Sequence, residues 1–462
     1  VRLAVIGAGP GGYVAAVKAS ALGAQVTLIE KAEVGGTCLN RGCIPTKTMI
    51  ASVAVLAKAR RLAEFGMEPC GEIRPDIVKI VARKEKVVAL QVKGIRALLK
   101  ARGVRLVEGH AAIKGDNLVG AAYADGREEV IEADRIIIAC GSRPAELPML
   151  PFDGRKILSS SDALEFKSLP ESMIIVGAGA IGSEFACMFS ELGVRVTIVE
   201  LKGRAVSTED EEISELLERE FRKKKIALIK GVRIEKVGLS GPGVTVGLDN
   251  GAEIAADKIL VSVGRSFNTE GLGLEDAGIL KTQSGSVSVD ERLETSVKGI
   301  YAIGDVIGGM MLAHVASREG VVAAKNACLD DRTIMDYSAI PAAIFTSPQI
   351  ASVGLREFQA KERGINVRTG HFQFRSLAMA HSIGEIAGII KIVADRDTDR
   401  LLGMSIIGPE AAELIQQGTV AISSGLRARD VADMVHAHPT LSEVVMEAMA
   451  DVNGESIHGV GL

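Results

Sequence analysis

The chain has little cysteine: six in 462 residues, against 51 glycines. Four of the six, Cys70, Cys140, Cys187 and Cys328, stand singly, which excludes the dense disulfide framework of a small secreted domain. No apolar stretch approaches the roughly 18 residues of a membrane span, so no membrane partner is expected. Basic charge is not in excess either. With 54 Lys and Arg against 58 Asp and Glu, the formal charge is −4, which argues against a nucleic-acid partner. The one basic run, "REFRKKKIALIKG" from Arg219 to Gly231, reads as the dipole-matched end of a solvated helix. The chain opens on "VRLAVIGAG", a strand without a charged-then-apolar leader, and its first residue is not Met. The expected location is cytoplasmic, or the mitochondrial matrix in a eukaryote.

What is present is an internal repeat. At 462 residues and 47% apolar composition the chain is long enough for three or four units. "LAVIGAGPGGYVAAVKASALGAQVTLIE" (Leu3 to Glu30) aligns without gaps on "MIIVGAGAIGSEFACMFSELGVRVTIVE" (Met173 to Glu200), with 11 of 28 positions identical. Each copy reads as strand, glycine turn, helix and second strand, the pattern of a dinucleotide-binding unit. Gly7 and Gly177 make the tight turn, and Gly9 and Gly179 admit a pyrophosphate to the backbone. Gly12 and Gly182 let helix pack on strand, with helix N–H groups facing the phosphates. Glu30 and Glu200 each end a second strand, 18 residues past the third glycine, where a carboxylate can accept from a ribose diol. Glu200 favours NAD over NADP, although Lys202 and Arg204 follow it closely. Two such sites in one chain suggest two electron carriers in exchange.

A second echo supports the duplication. "DGREEVIEADRIIIACG" and "NGAEIAADKILVSVG" both begin with a hairpin dipeptide, Asp125-Gly126 and Asn250-Gly251. Both run into an apolar strand that ends at Gly141 or Gly264. Each nucleotide unit is therefore expected to carry a small β-meander before its last parallel strand.

The remaining two cysteines lie close together in "GGTCLNRGCIPTK", Gly35 to Lys47. Metal ligation, inert buried thiols and a redox disulfide are the three readings of Cys38 and Cys43. Metal lacks further ligands, since no other cysteine or histidine pair has the spacing and "HAH" is some 400 residues away. A disulfide needs Cα atoms about 4.4–6.8 Å apart, whereas residues five apart in a regular helix are roughly 8–9 Å apart. Bonding thus requires a departure from helix, for which Gly42 supplies the freedom. The weight falls on a redox pair beside the first nucleotide turn, with its thiolates stabilised by a helix N-terminus.

These segments, with "YAIGDV" and "HAHPTLSE", resemble the flavin-dependent disulfide oxidoreductases of the class I pyridine nucleotide-disulfide type, and among them the dihydrolipoamide dehydrogenases. The resemblance spans nearly the whole chain and includes "TEDEEIS", "TSPQIASVG" and "GMSIIGPEAAELI". It implies an α/β fold with two Rossmann-like dinucleotide-binding domains and a C-terminal α+β dimerisation domain. The implied bounds are 1–147 for FAD, 148–272 for NAD, 273–339 completing the FAD site and 340–462 for the homodimer interface.

By that resemblance, the first turn holds FAD, with Glu30 on its adenosine ribose, Ala111 by the adenine, Asp305 on the ribityl chain and Ala313 nearby. Lys47 stands at the flavin edge and pairs with Glu184, and Gly264 belongs to the NAD side. Cys43 is the flavin-side thiol and Cys38 the interchange thiol. Spacing does not choose between His436 and His438 as the proton-transfer group. The resemblance chooses His438, oriented by Glu443 and supplied by the partner subunit. The implied reaction oxidises the dihydrolipoamide of lipoyl-bearing subunits in multienzyme complexes and reduces NAD+, with no metal. Cys140, Val315, Phe267 and Gln349 depart from the family pattern. Rival readings are a glutathione- or mercuric-reductase-like enzyme, or an FAD-holding scaffold without turnover. Thr46, Glu200 and the absence of cysteine after Cys328 disfavour the reductases, and the intact catalytic set disfavours the scaffold.

Overall fold

The first glycine turn follows the central strand of a five-stranded parallel sheet. In the computed structural model, which describes residues 1–68, 71–115, 117–239, 241, 243–329 and 332–459, its strand order is Ile300–Ala302, Arg135–Ile138, Arg2–Ile6, Gln25–Glu30 and Arg105–Glu108. Leu3 to Ile6 are buried throughout, as a parallel strand covered on both faces requires. The second sheet is also parallel, in the order Ala227–Lys230, Arg195–Glu200, Ser172–Val176, Lys258–Val261 and Ile157–Leu158. Both sheets therefore place a central strand, a helix and the adjacent strand as the repeat predicts.

Both meanders form. Strands His110–Gly115, Leu118–Ala122 and Glu128–Glu132 make one antiparallel sheet, and Ile234–Gly238, Val244–Leu248 and Glu253–Ala256 the other. The first sheet differs from expectation in one respect. Arg135–Ile138 is not its last strand, because Ile300–Ala302 joins it from beyond the second unit. Its three residues are all buried, but three positions are too few to show a period. The basic run closes the helix Glu211–Lys223, with Arg222 and Lys223 in its last turn.

Beyond residue 340 the sheet becomes antiparallel, in the order Ala342–Ile344, Gln349–Gly354, Leu401–Gly408, Ile389–Asp395 and Val367–Gln373. Helices Ala411–Ser423 and Glu443–Asp451 pack on it around Ile390, Ile392, Met404 and Ile406. A buried cation ties this unit to the second nucleotide unit. Lys391, 1% exposed, reaches Glu357 at 2.6 Å and, across the junction, Glu212 at 2.8 Å and Asp210 at 3.6 Å. Among the described residues no helix is long and apolar enough to cross a membrane.

Candidate active site

The two nucleotide turns share the same glycine geometry. Gly7 and Gly177 adopt φ of +103° and +99°, which glycine tolerates without strain. A Cβ on Gly12 would fall on the Gly7 carbonyl oxygen, and one on Gly182 would fall on that of Gly177. By contrast, Gly9 and Gly179 face open space. That space lies at the N-termini of helices Pro10–Ala21 and Ala180–Glu191, neither of which has a side-chain cap. A pyrophosphate fits such a cradle, because its oxygens can take the N–H groups that the helix leaves unpaired.

The acids are held in the same way. Glu30 accepts from the N–H groups of Ala8 at 2.7 Å and Ala32 at 2.8 Å. Glu200 accepts from those of Ala178 at 2.5 Å and Lys202 at 2.7 Å. Each carboxylate is thus aimed by backbone on both sides of the turn, with lone pairs left for a ribose diol.

Cys38 lies in the short helix Gly36–Arg41 and Cys43 opens the helix Cys43–Ala59. Gly42 breaks the chain between them at φ −140° and ψ −114°, which is the departure from helix that the spacing demands. A Cβ at Gly42 would come within 3.0 Å of the Thr37 carbonyl oxygen and 3.4 Å of the Cys38 Cα. The Cys38 and Cys43 thiols influence each other, and the two respond oppositely. The neighbouring Cys43 sulfur, with partial burial, raises Cys38 above an ordinary thiol. The neighbouring Cys38 thiol, aided by the Lys47 ammonium, lowers Cys43 against partial desolvation. Both shifts favour Cys43 over Cys38 as the thiolate of the pair. Cys140, Cys187 and Cys328 are also free thiols, while Cys70 lies outside the described residues.

One turn beyond Cys43, Lys47 Nζ donates to both oxygens of Glu184, at 2.9 and 2.8 Å. Glu184 belongs to the helix of the second nucleotide unit and also accepts from Phe345 N–H at 2.8 Å. The Phe345 ring lies 4.7 Å from the ammonium, a cation–π contact. Three distant segments converge here, and nothing in the sequence signals Phe345.

Asp305 sits in the 3-10 turn Gly304–Ile307, bonded to Ser142 Oγ and 3.4 Å from Arg265 Nε. Beneath that turn, the carboxylate of Glu319, 3% exposed, accepts from Gly304 N–H at 2.6 Å and Tyr337 Oη at 2.7 Å. Sequence reasoning missed Ser142, Arg265 and Glu319. Ala313 starts the helix Ala313–Leu329. The Ala111 methyl is buried in the core, so its backbone alone is left to meet a ligand. Gly264 lies at φ +134°, and its carbonyl is taken by Ala145 N–H. Of the departures, Cys140 Sγ faces the Ile6 carbonyl and Val315 is core. Phe267 pairs in a two-stranded ribbon, and Gln349 accepts from Ala412 N–H.

The two histidines differ in their partners. His438 Nδ1 lies 2.8 Å from Glu443 Oε1, whereas His436 Nδ1 meets only the Met434 carbonyl. Glu443 begins the last helix and also accepts from Thr440 N–H at 2.9 Å. Against its own burial, that N–H and His438 hold the carboxyl below its ordinary range. A second pair, His458 Nδ1 on Glu447 at 2.6 Å, was not visible in the sequence. No hydrogen bond or ion pair among the described residues joins His438 to Cys38 or Cys43, and its side chain is 71% exposed. Within one chain the cysteine pair and the His438–Glu443 pair are thus unlinked clusters. No group of three or more metal-ligating side chains occurs among the described residues.

Comparison with known proteins places this geometry. Residues 1–320 match the pyridine nucleotide-disulphide oxidoreductases, and residues 340–449 match their dimerisation domain. The chain is 39% identical to a dihydrolipoyl dehydrogenase of Bacillus subtilis, covering 98% of each. Among solved structures, LpdA of Mycobacterium tuberculosis superposes with a TM-score of 0.92 at 31% identity, covering 97% of this chain and 99% of that one. The HOCl-induced flavoprotein disulfide reductase RclA of Escherichia coli superposes at 0.87 and 27%, covering 97% and 99%. With two matched regions, a shared fold and a full-length relative, the chain belongs to the pyridine nucleotide-disulphide oxidoreductase family.

Proposed function

We propose that this chain oxidises dihydrolipoamide and reduces NAD+ through Cys38 and Cys43. The observation that carries the reading is the cysteine pair on either side of the Gly42 break, with Cys43 at a helix start one turn from Lys47. The full-length likeness to a dihydrolipoyl dehydrogenase supports the substrate.

In the oxidised enzyme Cys38 and Cys43 are joined as a disulfide. His438, oriented by Glu443, removes a proton from one substrate thiol. The thiolate attacks Cys38 Sγ, the Cys38–Cys43 bond breaks, and Cys43 leaves as a thiolate. The second substrate thiol then displaces Cys38, its proton passing to the departing Cys38 sulfur, and the lipoamide disulfide closes. The substrate has lost two electrons and two protons, and the enzyme pair holds the two electrons. Lys47 and the helix start keep Cys43 as the thiolate that passes them on. With FAD at the first turn and NAD+ at the second, the chemistry supplied there is two-electron acceptance from Cys43 and hydride delivery to the nicotinamide. Gly9 and Gly179 hold the pyrophosphates, Glu30 and Glu200 the adenosine riboses. Asp305, Ala313 and Ala111 serve the first cofactor, and Gly264 the second.

His438 reaches the cysteines from a second copy of the chain. Its exposure and the dimerisation-domain match support a homodimer. Lipoyl-bearing subunits as partners, a cytoplasmic or matrix location, and the division into 1–147, 148–272, 273–339 and 340–462 belong to the same proposal. The second sheet, lying wholly between Ile157 and Val261, supports that division. The likeness to a disulfide reductase favours, as second reading, a chain that works chiefly in the reductive direction. Anaerobic mixing with dihydrolipoamide and NAD+, beside Cys38→Ser, tests the assignment. NADH formation that the variant loses supports it. A flavin-loaded wild type that forms no NADH overturns it.

A further inference from the structure

The two ribose acids are held alike, but their neighbours differ. Glu30 is in register with Glu108 on the adjacent strand, and Glu200 is in register with Lys230. Residues in register on neighbouring strands share a sheet face. The first acid therefore has a carboxylate beside it and the second an ammonium. An ammonium there is what a 2′-phosphate on the adenosine ribose would seek.

Beyond Glu200 opens a cleft of about 560 Å³, walled by the cations Lys202, Arg204 and Lys230 and the carboxylates Glu211, Glu215 and Glu218. The cations are not equally free. Arg204 Nη2 donates to the carbonyls of Ser207 and Glu209, at 3.1 and 3.0 Å. Lys230 Nζ is held at 2.6 Å by Glu218 Oε2, whose partner oxygen accepts from Ala205 N–H at 3.2 Å. The Glu218 side chain is only 10% exposed, so this pairing is built in rather than incidental. Glu200, meanwhile, has both oxygens on backbone N–H groups, which softens its repulsion of a second anion.

We propose that Glu218 is a specificity-determining residue of the second nucleotide site. By neutralising Lys230 it keeps the cleft from acting as a 2′-phosphate subsite, and so excludes nucleotides that Glu200 alone would only disfavour. The inference rests on reading Gly177 to Glu200 as an NAD site.

ADP-ribose and its 2′-phosphate report on the subsite without turnover, since neither carries nicotinamide. Calorimetric titration of the flavin-loaded protein gives the ratio of their affinities in wild type, Glu218→Gln and Glu218→Gln/Lys230→Met. Glutamine keeps an acceptor for Ala205 N–H, and Glu218→Ser is carried beside it in case the first variant misfolds. The expected shift toward the 2′-phosphate is on the order of five- to tenfold in the single variants. It shrinks at high salt and disappears in the double variant. An unchanged ratio in a variant that still binds ADP-ribose overturns the inference and leaves the NAD site standing. A wild type that binds ADP-ribose no better than Glu200→Ala overturns both.

Discussion

Lys47 and Glu184, 137 positions apart, form a two-oxygen ion pair that Phe345 closes from a third segment. The two partners are unequally buried, with side chains 30% and 6% exposed. Lys47→Met leaves a buried carboxylate with one backbone donor, while Glu184→Gln leaves an ammonium that reaches water. The first substitution is expected to destabilise by about 2 kcal/mol, below the ~3–5 kcal/mol of a fully buried broken pair. The second is expected to cost under about 1 kcal/mol. Urea unfolding of the flavin-loaded proteins measures both, and equal losses would contradict the burial argument.

The opposed shifts of the cysteines predict selective alkylation of the reduced enzyme. A lowered pKa keeps Cys43 as thiolate below the ~8.5 of free cysteine, and its reactivity falls only as pH drops through that lower value. Cys38, shifted upward, stays protonated over the same range. Mass spectrometry after brief iodoacetamide exposure at pH 7 should find the label on Cys43. Equal labelling, or label on Cys38 first, would refute the polarity.

His438→Ala is expected to lower kcat by about 10²–10⁴, the usual span of a general base. Glu443→Gln should lower it less, by roughly 10–100-fold, and His436→Ala by less than about twofold, given its backbone-only contact. Stopped-flow NADH formation separates the three. Mixing His438→Ala with Cys43→Ser subunits should restore activity, since a hybrid dimer holds one intact site. Failure of exchanged hybrids to recover would place the whole site within one chain.

Burial raises the carboxyl of Glu319 above its ordinary range. The folded state therefore holds that proton more tightly than the unfolded chain. Its stabilising contribution is full below the unfolded value of ~4.3 and declines as pH rises through the raised folded one. Glu319→Gln has no such proton, so its stability relative to wild type should climb over that window and then level. Urea midpoints at pH 4.5, 6 and 7.5 test this. Parallel curves would mean that Glu319 ionises normally under the Gly304 turn.

Much of this site was legible because local steric rules leave marks. Gly12 and Gly182 are readable because a Cβ would strike a carbonyl, and Glu30 and Glu200 because a strand of fixed length delivers them. Gly42 was readable from the cysteine spacing alone. Convergence over long separations leaves no such mark. Phe345 lies 161 positions from Glu184, and Ser142 lies 163 from Asp305. His438 differs from His436 only through Glu443, whose helix start fixes where its carboxylate points. Ile300–Ala302 was not legible as a strand, because a buried three-residue strand has no alternation to read.

That late strand also orders events during synthesis. Arg135–Ile138 emerges from the ribosome about 160 residues before the segment that will lie against it. At ~5–20 residues per second, a nascent chain spends several seconds or more with that edge uncovered. An open edge invites pairing with another chain. In that interval the second sheet, complete by Val261, can close as an insertion inside a neighbour still unfinished. Truncations ending between residues 262 and 299 would freeze this half-built state, with one nucleotide unit whole and the other lacking its edge.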